Sequence, residues 1–135
     1  DTGLEVDFLD GAPGVYTARF AGENCTYKDN VNKLLNVMKN VPFDKRGAKF
    51  KTSMVFIDKN KELFGDGIVK GIISEKIKGL AGFGYDPLFY VPEEGKTFAE
   101  MSIEKKNIIS HRGLAVKNLT AKLNTYIKTL KKETA

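Results

Sequence analysis

Cysteine is nearly absent from this sequence: Cys25 stands alone among 135 residues. No disulfide can form within the chain, and a reducing compartment, the cytoplasm, is expected. His111 is the only histidine, which excludes a zinc site built on paired histidines. Nothing marks a nucleophile elbow of the kind that serine hydrolases use. No run approaches the ~18 apolar residues of a membrane span. The opening, with acidic Asp1 and Asp7, lacks the basic and then apolar pattern of a secretory signal. A P-loop and a dinucleotide fingerprint are also missing, since Gly79, Gly82 and Gly84 fall in the wrong order and no helix follows them. No internal repeat, low-complexity stretch or linker divides the chain, so residues 1–135 read as a single domain.

What remains has the balance of an ordinary globular domain, with 41% hydrophobic and 29% charged residues. The net charge of +5 is compatible with an anionic partner such as a nucleotide. Lys117, Lys122, Lys128, Lys131 and Lys132 are spread along the last segment and read as a solvated face rather than a nucleic-acid surface.

Leu4, Val6 and Phe8 alternate with Glu5 and Asp7 as in a half-buried strand, which the 10–14 loop ends at Gly11, Pro13 and Gly14. Residues 15–22 have no clean period and read as an ordered loop. Thr26 and Asp29 have the spacing of a capping box, and Val31, Leu34, Leu35 and Met38 continue one helical face. Residues 49–57 and 63–73 are strand runs joined by a polar turn, an antiparallel hairpin in which Gly65 and Gly67 signal a bulge or a close backbone approach. A glycine-rich loop over 79–87 precedes a short strand over 88–91. Ser102 caps a short helix, and Ser110 caps a long one whose stripe is Val116, Leu119, Leu123, Tyr126 or Ile127, and Leu130. The mixture is that of an α/β or α+β domain.

Three clusters can carry chemistry. Asp1 and Thr2 set a carboxylate beside a hydroxyl at a strand end, a pair able to hold a hard cation and orient a water, or simply to form an exposed turn. In the 83–86 stretch, Phe83 can stack on a base, Gly84 and its neighbours admit a flat ligand, and Asp86 can accept from a ring N–H; a tight turn over a core phenylalanine is the plainer alternative. Lys106, Ser110, His111 and Arg112 bring donors to a helix start, where an arginine facing a purine O6 would favour a 6-oxo base over adenine. A capped helix with surface charges is the alternative there.

The 1–6 stretch with residues 11–19, the 82–87 loop, and Lys106 with Ser110-His111-Arg112 together resemble, in order, the active-site strand, base-binding loop and C-terminal specificity segment of the Ham1-like inosine triphosphate pyrophosphatase family. The resemblance covers essentially the whole chain. It implies an α/β fold with an elongated mixed sheet flanked by helices. It also implies Mg²⁺-dependent hydrolysis of ITP, dITP and XTP to the monophosphate and pyrophosphate, in a homodimer. Asp1 matches the catalytic carboxylate, which also holds the metal, and Thr2 matches a substrate-contacting hydroxyl. Phe83, Gly84, Tyr85 and Asp86 match the base-binding stretch, while Lys106, His111 and Arg112 match the residues that read the 6-oxo base. The family's N-terminal phosphate loop, of Thr-x-Asn-x-x-Lys type, has no counterpart here. The chain is therefore expected to be the C-terminal part of such an enzyme, the alternative being a non-catalytic nucleotide-binding or dimerisation module.

Overall fold

A computed structural model describes residues 2–134. Thr2–Val6 form β1, Tyr27–Val37 α1, Gly47–Asp58 β2 and Lys61–Ile73 β3. Phe89–Val91 form β4, Lys96–Thr97 β5, Ile103–Ile109 α2 and His111–Thr134 α3. The strands make one sheet in the order β1-β2-β3-β4-β5. The α/β class is thus met, but every ladder among the described residues is antiparallel, where the resemblance implies a mixed sheet. The short β2–β3 and β4–β5 connections favour this pairing, whereas longer segments join β1 to β2 and β3 to β4.

The strand signal in the first residues runs out early. Asp7–Leu9 turn into a 3-10 segment that ends with Asp10 in the left-handed region (φ 54°), so Phe8 leaves the strand and is half exposed. The loop after it is ordered: Gly14–Arg19 form a further 3-10 segment. In α1 both arms of the capping box are present, the Thr26 side chain accepting from Asp29 N–H and the Asp29 carboxylate accepting from Thr26 N–H. Val31, Leu34 and Met38 turn inward to Leu4, Val6 and Phe50 in one core with Phe89 and Phe98.

The β2–β3 hairpin keeps an unbroken register from Gly47↔Ile72 to Asp58↔Lys61, so Gly65 and Gly67 mark no bulge. They mark a close approach. A Cβ on Gly67 would meet the backbone of His111 and Ala115, and one on Gly65 would meet Ala115 and Leu119. The long helix therefore lies directly on the hairpin, with Ala115 fully buried. The expected stripe holds at Leu119, Leu123 and Tyr126, which are half-buried, with Tyr126 rather than Ile127 turned inward, but its two ends, Val116 and Leu130, are exposed. Polar bonds reinforce the seat, with Asn118 Nδ2 donating to Asp66 O at 2.6 Å and Tyr126 OH to Asp58 Oδ2 at 2.7 Å. The bond to Asp58 raises the Tyr126 pKa, with burial a lesser cause.

Arg46, at the entrance of β2, is 2% exposed. Its Nε donates to Ile73 O, Nη1 to Met38 O and Val41 O, and Nη2 to Ser74 O. One guanidinium thus satisfies carbonyls after α1 and at the end of β3, groups that would cost free energy if buried unpaired.

Candidate active site

The loop before β4 folds back around a carboxylate. Asp86 is 3% exposed, and its Oδ2 accepts from Phe83 N–H at 3.0 Å and from the Lys106 ammonium. Gly82 has φ 79°, and a side chain there would run into that carboxylate, so this turn requires glycine. Buried charges persist when paired and hydrogen-bonded. The Asp86–Lys106 pair meets that condition and ties the loop to α2.

Phe83 sits above this pair with 43% of its surface exposed. Lys106 Nζ and Arg112 Cζ each lie 4.6 Å from its ring centroid, and the exposed Tyr27 ring lies 6.3 Å away. Cations over an aromatic face are held by the ring quadrupole. Lys106 occupies the last turn of α2 and Arg112 the first turn of α3, so only the arginine stands at a helix start. Ser110 separates the two helices, and its Oγ accepts from Gly113 N–H at 3.0 Å.

His111 is 5% exposed and stacks on Phe50, with centroids 4.6 Å apart and planes 15° apart. Burial, helped by the nearby Arg112 and Lys106 charges, lowers its pKa to about 4. The ring is therefore neutral at pH 7. Its Nδ1 is buried without a hydrogen-bond partner among the described residues.

At the start of β1, Thr2 Oγ1 lies 2.8 Å from Thr52 Oγ1. Thr52 is two residues along β2 from Phe50, so the hydroxyl pair shares the sheet face that carries His111. Asp1, the predicted catalytic and metal-binding carboxylate, lies outside the described residues. No group of three or more His, Cys, Asp or Glu side chains able to hold a metal converges among the described residues.

The structure thus brings Phe83, Asp86, Lys106 and Arg112 into one cluster and sets His111 beside it. Tyr85 departs from this cluster. Its side chain is buried, and its hydroxyl donates to Thr17 O at 2.7 Å, with burial raising the hydroxyl pKa. Gly84 holds a positive φ of 61° between them. A separate cleft of about 690 Å³, lined by Thr2, Gly3, Glu5, Lys51, Ser53 and Asp66 among others, opens mainly on the opposite sheet face. Of the predicted site residues it contains Thr2 alone, and its charges are already engaged, Lys51 with Glu5 at 3.2 Å and Ser53 with Asp66 at 2.7 Å. The chemistry therefore points to the Phe83 cluster rather than to the larger opening. Sequence reasoning missed Thr17, Thr52 and Tyr27. For Thr52 the alternation of β2 was a usable signal, while the other two owe their places to long-range packing.

An exposed ring flanked by two fixed cations, over a neutralised carboxylate, suits a flat ligand that carries negative charge and acceptor groups. The sequence model of the Ham1 family matches residues 1–122, and the chain belongs to that family. It is 52% identical over 127 residues to the dITP/XTP pyrophosphatase of Caldanaerobacter subterraneus subsp. tengcongensis, covering 94% of this chain and 62% of that protein. It is 50% identical over 129 residues to the dITP/XTP pyrophosphatase of Clostridium perfringens, covering 95% and 63%. Among solved structures, the Staphylococcus aureus Ham1 protein superposes with a TM-score of 0.88 at 42% identity, over 93% of this chain and 65% of that one. The Coxiella burnetii HAM1 protein gives 0.87 at 36%, with the same coverage. The chain thus spans a little under two thirds of the length of these relatives.

Proposed function

We propose that this chain carries the base-recognising part of an enzyme that hydrolyses deaminated purine nucleoside triphosphates (ITP, dITP and XTP) to the monophosphate and pyrophosphate. The observation that carries this reading is the Phe83 ring with Lys106 and Arg112 over it, held in place by buried Asp86. The relatives' names, dITP/XTP pyrophosphatase, agree with it. Phe83 offers a stacking surface for the purine, and Lys106 and Arg112 are donors only. A 6-oxo group accepts from such donors, whereas the amino group of adenine opposes them. Neutral His111 adds a donor or acceptor next to the same surface without adding charge. Gly84 lets the backbone approach the base, and Tyr85 holds the loop from behind.

In this reading Asp1 activates the attacking water as general base, and Thr2 contacts the substrate close by. Phosphoryl-type cleavage needs an aligned water and neutralised oxygens more than covalent help. Mg²⁺, when bound, would supply charge neutralisation. Its proposed carboxylate is Asp1, and the described residues offer no cluster to complete a metal site. The single cysteine makes the cytoplasm the compartment of this reading. Self-association as a homodimer belongs to it as well. Val55 and Phe64 face each other across the outer side of the hairpin, both about half exposed, with Ile57 next to Val55 on the same face. Contiguous apolar surface of this kind is a common association site, and sedimentation velocity gives the stoichiometry. No helix among the described residues is long and apolar enough to cross a membrane.

The test is pyrophosphate release from ITP and from ATP, with and without Mg²⁺. The expected result is release from ITP, little from ATP, and loss of turnover with retained ITP binding in Asp1→Asn. Binding of ITP without release by the unaltered chain would instead favour the non-catalytic module, a reading that the lack of a converging carboxylate cluster among the described residues motivates.

A further inference from the structure

The base-side loop and β1 are far apart in sequence, yet one residue bonds to both. Thr17 O accepts from Tyr85 OH at 2.7 Å. Thr17 Oγ1 donates to Gly14 O at 2.6 Å and accepts from Leu4 N–H at 2.9 Å. The loop that carries Thr17 lies along the edge of β1 away from β2. Pro13 bridges Glu5, and Val6 N–H donates to Ala12 O at 3.0 Å. At Leu4 the threonine hydroxyl therefore takes the place of a neighbouring strand's carbonyl. The arrangement has a fixed polarity, because the hydroxyl spends its only proton on Gly14 and must accept from Leu4. Tyr85, 2% exposed, is two residues from Phe83 and next to Asp86, while Leu4 is two residues from Thr2. Asn30, 2% exposed, steadies the far end of the same loop by donating to Ala18 O and accepting from Ala21 N–H.

We propose that Thr17 is a positioning residue that couples occupancy of the Phe83–Asp86 loop to β1, and so to the strand end that carries Thr2. The proposal rests on the base-site reading above and goes beyond it, since it assigns a role to a residue outside the Phe83 cluster. A base settling on Phe83 moves the 83–86 turn. Tyr85 passes that shift to the Thr17 carbonyl, and the Thr17 hydroxyl passes it to Leu4. Coupling of this kind needs a contiguous set of contacts and direct evidence that both ends respond.

The test uses the ¹⁵N-labelled chain titrated with IMP, following the amide resonances of Gly84 and Leu4. In the unaltered chain and in Thr17→Ser, which keeps the hydroxyl, both resonances should shift. In Thr17→Val and in Tyr85→Phe the Gly84 shift should persist while the Leu4 shift is lost. A Leu4 shift that survives in those variants, or that is absent from the unaltered chain while Gly84 responds, overturns the proposal. If Gly84 itself does not respond, the base-site reading fails, and the linkage is then read without ligand from amide exchange. Loss of a hydrogen bond worth about 1 kcal/mol should speed Leu4 exchange by about fivefold in Tyr85→Phe. An unchanged rate overturns the linkage.

Discussion

The two ends of the candidate site are built to different standards. On the base side, Phe83, Asp86, Lys106, His111 and Arg112 come from a loop and two helices, and each is fixed by a ring contact or a buried ion pair. At the start of β1, Thr2 is exposed and held by one hydroxyl contact to Thr52. Recognition of a flat ligand depends on groups locked in advance by their neighbours, and here buried Asp86 and His111 hold the exposed Phe83 and its two cations from below. The start of β1 rests on fewer contacts. Binding of the base and cleavage of the phosphate chain are therefore expected to respond differently to substitution.

The sharpest way to break this contrast is Lys106→Met. It leaves the Asp86 charge buried without its ammonium, and loss of one partner of a buried pair costs roughly 3–5 kcal/mol. Urea titration should show that loss. Adding Asp86→Asn should recover much of the stability without restoring nucleotide binding. Acid probes the same side through His111. Its folded pKa of about 4 lies below the ordinary value near 6.5, so the unfolded chain binds the proton first as pH falls. Stability from this group is complete above about pH 6.5 and is lost progressively toward pH 4, by roughly 3 kcal/mol at most. Phe98 and Phe50 surround the ring, and His111→Phe should flatten that dependence in urea titrations across pH 4–8.

Phe83→Ala separates binding from folding. With its ring 43% exposed, the variant should melt within a few degrees of the unaltered chain yet lose ~1–3 kcal/mol of base stacking, about tenfold or more in Kd for IMP. The smallest expected effect is Thr2→Val. Loss of the contact to Thr52 should lower stability by about 1 kcal/mol, and in a fluorescence titration IMP affinity should fall by less than it does in Phe83→Ala. A large fall in IMP affinity there would erase the distinction between the two ends.

Much of this organisation is written locally. The Thr26–Asp29 box and the 3.6-residue spacing of Val31, Leu34 and Met38 define α1 before any tertiary contact forms. The hairpin follows from two strand runs and a polar turn, and Gly65 and Gly67 left a bulge and a close approach open, which only the packing of α3 decides. The stripe of α3 was misread at Val116 because glycines on the hairpin, rather than helix periodicity, decide which face docks. Arg46 looks like any surface arginine until the carbonyls at the ends of α1 and β3 are brought to it. In the site itself, the aromatic and basic residues were legible as types. What sequence spacing did not carry is that Asp86 is neutralised by Lys106, or that Tyr85 points away toward Thr17. Both depend on contacts between residues at least 20 apart.

Reading of a 6-oxo purine by Phe83, Lys106 and Arg112 is put to the test by calorimetric titration of the chain with IMP and with AMP. IMP should bind at least about tenfold more tightly than AMP, the discrimination one well-placed donor contact provides. Equal affinity for the two nucleotides, or a preference for AMP, would contradict it.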